Sequence, residues 1–114
     1  MKPEIAFISG ASRGVGRAIA VEFARAGISL AVNCRQSVEE LERLAQEIRS
    51  KFHVPCVTLA GDVGDEDFVK KAFDTVRREL GVVTILVNNA GVSHVGLLSD
   101  MSLTEWNQVI QTNL

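Results

Sequence analysis

Short apolar runs alternate with longer amphipathic stretches along this chain, and that alternation restricts its fold more than any other feature. Ile5, Ala6, Phe7 and Ile8 form an unbroken apolar run, the pattern of a strand buried on both faces of a parallel sheet. Behind it Val15, Ile19 and Phe23 fall four apart, which predicts a helix with that face on the core. Gly27 stands where a C′ glycine would stop it. Residues 28–32 predict a second strand. Ser37 and Glu40 have capping-box spacing and open a second helix bearing Leu41, Leu44, Ala45 and Ile48. Residues 54–60 predict a third strand, and Pro55 inside it removes a ladder donor, so this strand belongs at a sheet edge. Asp65 N-caps a third helix with Phe68, Ala72, Phe73 and Val76, closed by Gly81. Residues 82–87 predict a fourth strand, mostly apolar and hence central. A capping box of Ser102 and Glu105 then opens a fourth helix through Trp106, Val109 and Ile110. The series β-α-β-α-β-α-β-α, with right-handed crossovers, implies an α/β fold on a doubly wound parallel sheet of strand order 3-2-1-4.

In that order the fourth strand is an outer one, yet residues 82–87 carry neither charge nor proline to blunt an edge. The sequence stops inside the predicted fourth helix, without a C-cap signal after Asn113 and Leu114. Both observations fit the first half of a longer fold, with residues 1–114 as one domain portion of it; a small, complete α/β domain is the bland alternative. The formal charge of −2, from 12 basic and 14 acidic residues, gives no case for nucleic-acid or membrane-surface binding. Cys34 and Cys56 make no C-x-x-C pair, no metal-ligand cluster is expected, and the first apolar run is too short for a leader or a span. A cytoplasmic protein is the expectation.

Between the first strand and the first helix stands Ser9-Gly10-Ala11-Ser12-Arg13-Gly14-Val15-Gly16, a G-x-x-x-G-x-G cluster. Phosphate binding uses this place: glycines let the backbone approach the ligand, and the helix N-terminus offers N–H groups and a positive dipole. Packing alone can also put glycines after a strand, and no Gly-Lys-Ser/Thr follows to make a Walker A loop. At the end of the second strand, a carboxylate would hold a ribose 2′-hydroxyl, whereas an arginine accommodates a 2′-phosphate. Asn33, Cys34 and Arg35 stand there, and Arg13 adds a second guanidinium, so NADP(H) is favoured over NAD(H) in a Rossmann-like fold. A solvated Arg35 is the bland alternative. Asp62, after the third strand, is placed to accept a hydrogen bond from an adenine amino group, though Asp is also a common turn residue.

With Asn88-Asn89-Ala90-Gly91 after the fourth strand, the sequence resembles the short-chain dehydrogenase/reductase family. That family carries T-G-x-x-x-G-x-G, N-N-A-G and an Asn in the fourth helix; all three recur here in order, with Ser9 for the usual Thr. The resemblance implies that Gly10, Ser12, Arg13, Gly14, Val15 and Gly16 meet the cofactor's pyrophosphate and ribose. It places Cys34 and Arg35 at the 2′-phosphate, Asp62 and Val63 at the adenine, and Asn89, Ala90 and Gly91 along the cofactor's inner edge. Asn88 corresponds to a residue that braces the sheet. Asn113 corresponds to the Asn of an Asn-Ser-Tyr-Lys catalytic tetrad.

The implied activity is hydride transfer from the nicotinamide to a carbonyl carbon, the alkoxide being protonated by a Tyr. The closing stretch, residues 105–114, is similar to members that reduce 3-oxoacyl thioesters, an acyl-carrier-linked substrate of fatty-acid synthesis. The resemblance also implies a homo-oligomer for the full-length protein. The 114 residues contain no Tyr, and the family's Ser and Tyr-x-x-x-Lys fall beyond Leu114, so this stretch alone is expected to be inactive. His94 is read as a residue of the loop after Gly91 and His53 as a surface residue. The reading from another class is a non-catalytic nucleotide-binding or interaction module.

Overall fold

The computed structural model describes residues 4–88 and the backbone of 91–94. Eight elements follow in order: β1 (Ile5–Ser9), α1 (Gly14–Arg25), β2 (Ser29–Cys34), α2 (Val38–Phe52), β3 (Cys56–Ala60), α3 (Glu66–Glu79), β4 (Ile85–Asn88) and β5 (Gly91–His94). The predicted fourth helix, with Asn113, lies outside the described residues, as do Asn89 and Ala90.

The strands form one sheet in the order β3-β2-β1-β4-β5. Parallel pairing joins β1 to β2 and β4, and β2 to β3, so the expected order 3-2-1-4 is present. Phe7 is flanked by Ala31 and Leu86 across the two central ladders. β4 is internal, as its apolar run suggests, and is not left as an uncovered edge: β5 pairs antiparallel with it, Asn88 opposite Gly91 and Ile85 opposite His94. Only two residues separate these strands, a connection that allows an antiparallel return and no crossover. His94 accordingly ends a strand instead of lying in a loop.

Side chains alternate across the sheet and feed two cores. Ala6, Ile8, Leu30, Val32 and Val87 meet α1 and α2 through Ala20, Ala24, Leu41, Leu44 and Ile48. Ile5, Phe7, Ala31 and Leu86 meet Val69, Ala72 and Val76 of α3 on the other face. There Phe7 and Phe73 pack edge to face, centroids 5.5 Å apart.

The buried stripe of α1 is Gly16, Ala20 and Ala24, one position along from the expected Val15, Ile19 and Phe23. Small residues let this helix lie close on the sheet, leaving Ile19 and Phe23 half-buried and Val15 exposed. The α2 stripe of Leu41, Leu44, Ala45 and Ile48 is as expected. Asp65 caps α3, accepting from the N–H groups of Asp67 at 2.9 Å and Phe68 at 3.4 Å. Ser37 is the N-cap residue of α2 but makes no side-chain cap bond. Its backbone, at φ −85° and ψ 59°, departs from the extended geometry that aims an N-cap hydroxyl into the first turn. Glu39 and Glu40 in that turn complement the helix dipole instead.

β3 starts just after Pro55, whose carbonyl accepts from Leu30 N at 3.0 Å, and it is an edge strand as Pro55 suggested. β4 starts at Ile85, three residues later than expected. Thr84 intervenes: its hydroxyl accepts from Ile5 N at 3.2 Å and donates to the Glu4 carboxylate at 2.5 Å. A side chain thus occupies part of the ladder that a regular strand would give to the backbone.

Candidate functional site

The glycine cluster forms a turn bound on two sides. Ser9 donates its hydroxyl to the Val87 carbonyl at 3.4 Å, and Ala11 N donates to the Asn33 carbonyl at 2.9 Å. Gly10 and Gly14 have φ of 63° and 64°, the left-handed region that favours glycine. Gly16 is glycine for another reason, since a Cβ there would stand 2.3 Å from the Gly10 carbonyl oxygen. The first turn of α1 therefore lies directly against the preceding loop. Arg13, at the N-cap, has extended backbone and provides no side-chain cap, and the first turn contains no acidic residue. The N-terminal dipole is left without a local carboxylate, as an anion-binding turn requires. This turn, at a helix start with no local acidic residue, fits a phosphate group.

The neighbouring rim is the end of β2. Asn33 is buried and donates its amide to the carbonyls of Leu59 at 2.9 Å and Gly61 at 3.2 Å. Gly61 N donates to the Cys34 carbonyl at 2.9 Å. These bonds carry the β2–β3 pairing past the last strand residues and fix Arg35 beside the loop after β3. Burial pushes the Cys34 thiol up from its ordinary value, assisted by the nearby Glu40 and Glu42 charges and opposed by a backbone hydrogen bond at Ser37. Cys34 is thus a neutral wall residue.

The loop after β3 is also fixed. Asp62 Oδ1 accepts from Gly64 N at 2.8 Å, and the Asp62 carbonyl accepts from Asp65 N at 3.0 Å. The Phe68 ring packs so closely on Gly61 that a Cβ there would meet it at 2.3 Å. Asp62 Oδ2 lies 3.8 Å from Arg35 Nη2, both side chains being largely in solvent.

Two adjoining cavities follow from this arrangement. One of about 310 Å³ is lined by Gly10, Ser12, Arg13, Cys34, Arg35, Gln36 and Ser37. The other, of about 150 Å³, is lined by Ser9, Gly10, Asn33, Arg35, Gly61, Asp62 and Val63. Gly10 and Arg35 belong to both. The crevice runs across the carboxyl ends of β1, β2 and β3, where open α/β sheets bind ligands.

Of the residues expected at a cofactor, Gly10, Ser12, Arg13, Cys34 and Arg35 are gathered in the first cavity, and Asp62 and Val63 join Gly10 and Arg35 in the second. Gly14, Val15 and Gly16 form the adjacent helix start, with Val15 65% exposed. Gly91 is in β5, opposite Asn88. Asn89, Ala90 and Asn113 lie outside the described residues. Asn33, Gly61, Gln36 and Ser37 are not among the residues expected at a cofactor; Ser37 is expected only at the start of α2. Asn33 had a signal, because a polar residue closing an apolar strand must find partners where it is buried. Gln36 has none beyond adjacency to Arg35, and the capping-box spacing at Ser37 points to a helix start and not to a ligand.

Comparison with known proteins places this geometry. The short chain dehydrogenase family model matches residues 4–114. A 3-oxoacyl-[acyl-carrier-protein] reductase of Staphylococcus aureus is 41% identical over 109 residues, which cover 96% of this chain and 44% of that protein. The L-sorbose reductase of Gluconobacter frateurii, solved with NADPH and L-sorbose, superposes with a TM-score of 0.71 at 33% identity, over 93% of this chain and 40% of that one. An alcohol dehydrogenase from Thermococcus sibiricus, solved with 5-hydroxy-NADP, gives a TM-score of 0.69 at 34% identity, over 75% of this chain and 36% of that one. The chain spans less than half the length of these relatives. On the family match and these identities, the chain belongs to the short-chain dehydrogenase/reductase family.

Proposed function

We propose that residues 1–114 are the NADP(H)-binding portion of a carbonyl-reducing oxidoreductase. The observation that carries this reading is the convergence of Arg13 and Arg35 on one cavity beside an uncapped helix N-terminus. When bound, the cofactor supplies the hydride that reduces the carbonyl carbon. The first turn of α1 holds the pyrophosphate through backbone N–H groups, in a turn whose conformation Gly14 permits and whose packing on Gly10 requires Gly16. Arg13 and Arg35 take the 2′-phosphate in charge-assisted bonds, and Cys34 stands where an acid would select the 2′-hydroxyl. Asp62 accepts from the adenine amino group, with Val63 beside the ring. Asn89, Ala90 and Gly91 line the inner edge of the cofactor, and Asn113 holds a proton-relay water.

The substrate best supported is a 3-oxoacyl thioester, as for the S. aureus relative's named activity. In the family this chain resembles, a Tyr protonates the alkoxide, and the 114 residues contain no Tyr, so this stretch by itself binds cofactor without turning substrate over. Homo-oligomeric assembly and a cytoplasmic setting complete the reading; among the described residues, no helix is long and apolar enough to cross a membrane.

The experiment is a titration of the intact protein, meaning the full-length protein that contains residues 1–114, and of its Arg35→Ala variant with NADPH and NADH, followed by assay with a 3-oxoacyl thioester. Tighter binding of NADPH, lost by about tenfold or more in the variant, and NADPH oxidation on adding thioester are expected. Tighter binding of NADH, or unchanged NADPH affinity in Arg35→Ala, contradicts the cofactor assignment. Binding without turnover by the intact protein supports the non-catalytic module instead.

A further inference from the structure

Arg35 belongs to both cavities of the crevice, and its one charged neighbour at ion-pair distance among the described residues is Asp62. The two oxygens of Asp62 are not equivalent. Oδ1 is committed to Gly64 N at 2.8 Å, a bond internal to the loop, and this leaves Oδ2 facing the guanidinium at 3.8 Å. The oxygen available to an adenine amino group is therefore the one paired with Arg35. Arg35, in turn, is the cation available to a 2′-phosphate.

We infer that Asp62 is a specificity-determining residue that acts through Arg35, holding the guanidinium as its counter-ion and so lowering the margin by which the 2′-phosphorylated dinucleotide is preferred. This rests on the cofactor reading above. A dinucleotide with a 2′-phosphate draws Arg35 off Asp62 and must displace that ion pair. One without the phosphate leaves the pair in place. This displacement opposes NADPH more than NADH, and its cost scales with the charge on Asp62. Because the side chains are 73% and 51% exposed, solvent screens the pair and the effect is a modest one.

The test measures dissociation constants of the intact protein, Asp62→Asn, Arg35→Ala and the double variant for both nucleotides, at one salt concentration. Asparagine keeps the Oδ1 acceptor for Gly64 N, so the loop is retained. Any altered adenine contact is common to both nucleotides and cancels in their ratio. Asp62→Asn is expected to raise the NADPH-over-NADH preference by about two- to fivefold, and to leave it unchanged in the Arg35→Ala background. An unchanged ratio with binding retained overturns this inference and spares the cofactor reading. An equal rise in the Arg35→Ala background also overturns it, since Asp62 would then act without Arg35. Saturable binding of neither nucleotide removes the cofactor reading and this inference with it.

Discussion

A methyl group on Gly16 would stand 2.3 Å from the Gly10 carbonyl oxygen, and a backbone atom in a bound turn cannot swing aside as a side chain can. Gly14 differs: a Cβ there meets nothing within 4 Å, and what its residue must tolerate is a φ of 64°. The two glycines of one motif therefore answer to packing and to backbone conformation respectively. Gly16→Ala is expected to destabilise the protein by about 1–3 kcal/mol, as overpacking does, and to weaken NADPH binding by moving the first turn of α1. Urea denaturation and nucleotide titration of the same variant check both; an unchanged midpoint with unchanged affinity would show that the helix and loop are not in contact. The glycine spacing in the sequence carried this turn, but not which glycine does which task. Asn33 illustrates the converse. Its type and place were readable, but its partners at Leu59 and Gly61 depend on a register between β2 and β3 that no local pattern contains.

Element boundaries follow from local chemistry where a single residue decides them. Asp65 does so for α3: its carboxylate accepts two first-turn N–H groups, with Glu66 and Asp67 adding favourable charge near the dipole. Asp65→Ala is expected to cost about 1 kcal/mol of stability, read by the denaturation midpoint, while Asp65→Asn or Asp65→Ser retains most of it. Because the Asp62 loop runs directly into this cap through Asp65 N, the alanine variant should also loosen the Asp62 edge of the crevice. The capping-box spacing at Ser37 was equally visible yet made no side-chain bond, since the chain leaves the Arg35 corner in a conformation that points the hydroxyl elsewhere. Helix α1 shows the limit of periodicity. Its large apolar residues mark a face, but the sheet accepts the small-residue stripe beside it, and contact distance rather than hydropathy selects between neighbouring stripes.

At the scale of the whole molecule, α/β alternation fixed the parallel 3-2-1-4 arrangement, because short apolar strands with helical connections have few other ways to bury both faces. The antiparallel β5 was not legible. Gly91, Val92, Ser93 and His94 form a mixed tetrapeptide with no alternation, and they gain strand geometry only from the unpaired edge of β4. The crevice is likewise a property of the sheet: three strand ends, from distant parts of the chain, deliver the glycine turn, Arg35 and Asp62 to one rim. The most direct test of its assignment is a residue-resolved one, following backbone amide resonances of the isotopically labelled protein during addition of NADPH. Saturable shifts concentrated at Gly10, Ser12, Arg13, Gly14, Gly16, Arg35 and Asp62, with the outer face of α3 unmoved, are the predicted result. Shifts centred elsewhere, or no saturable change at these residues, would contradict the account.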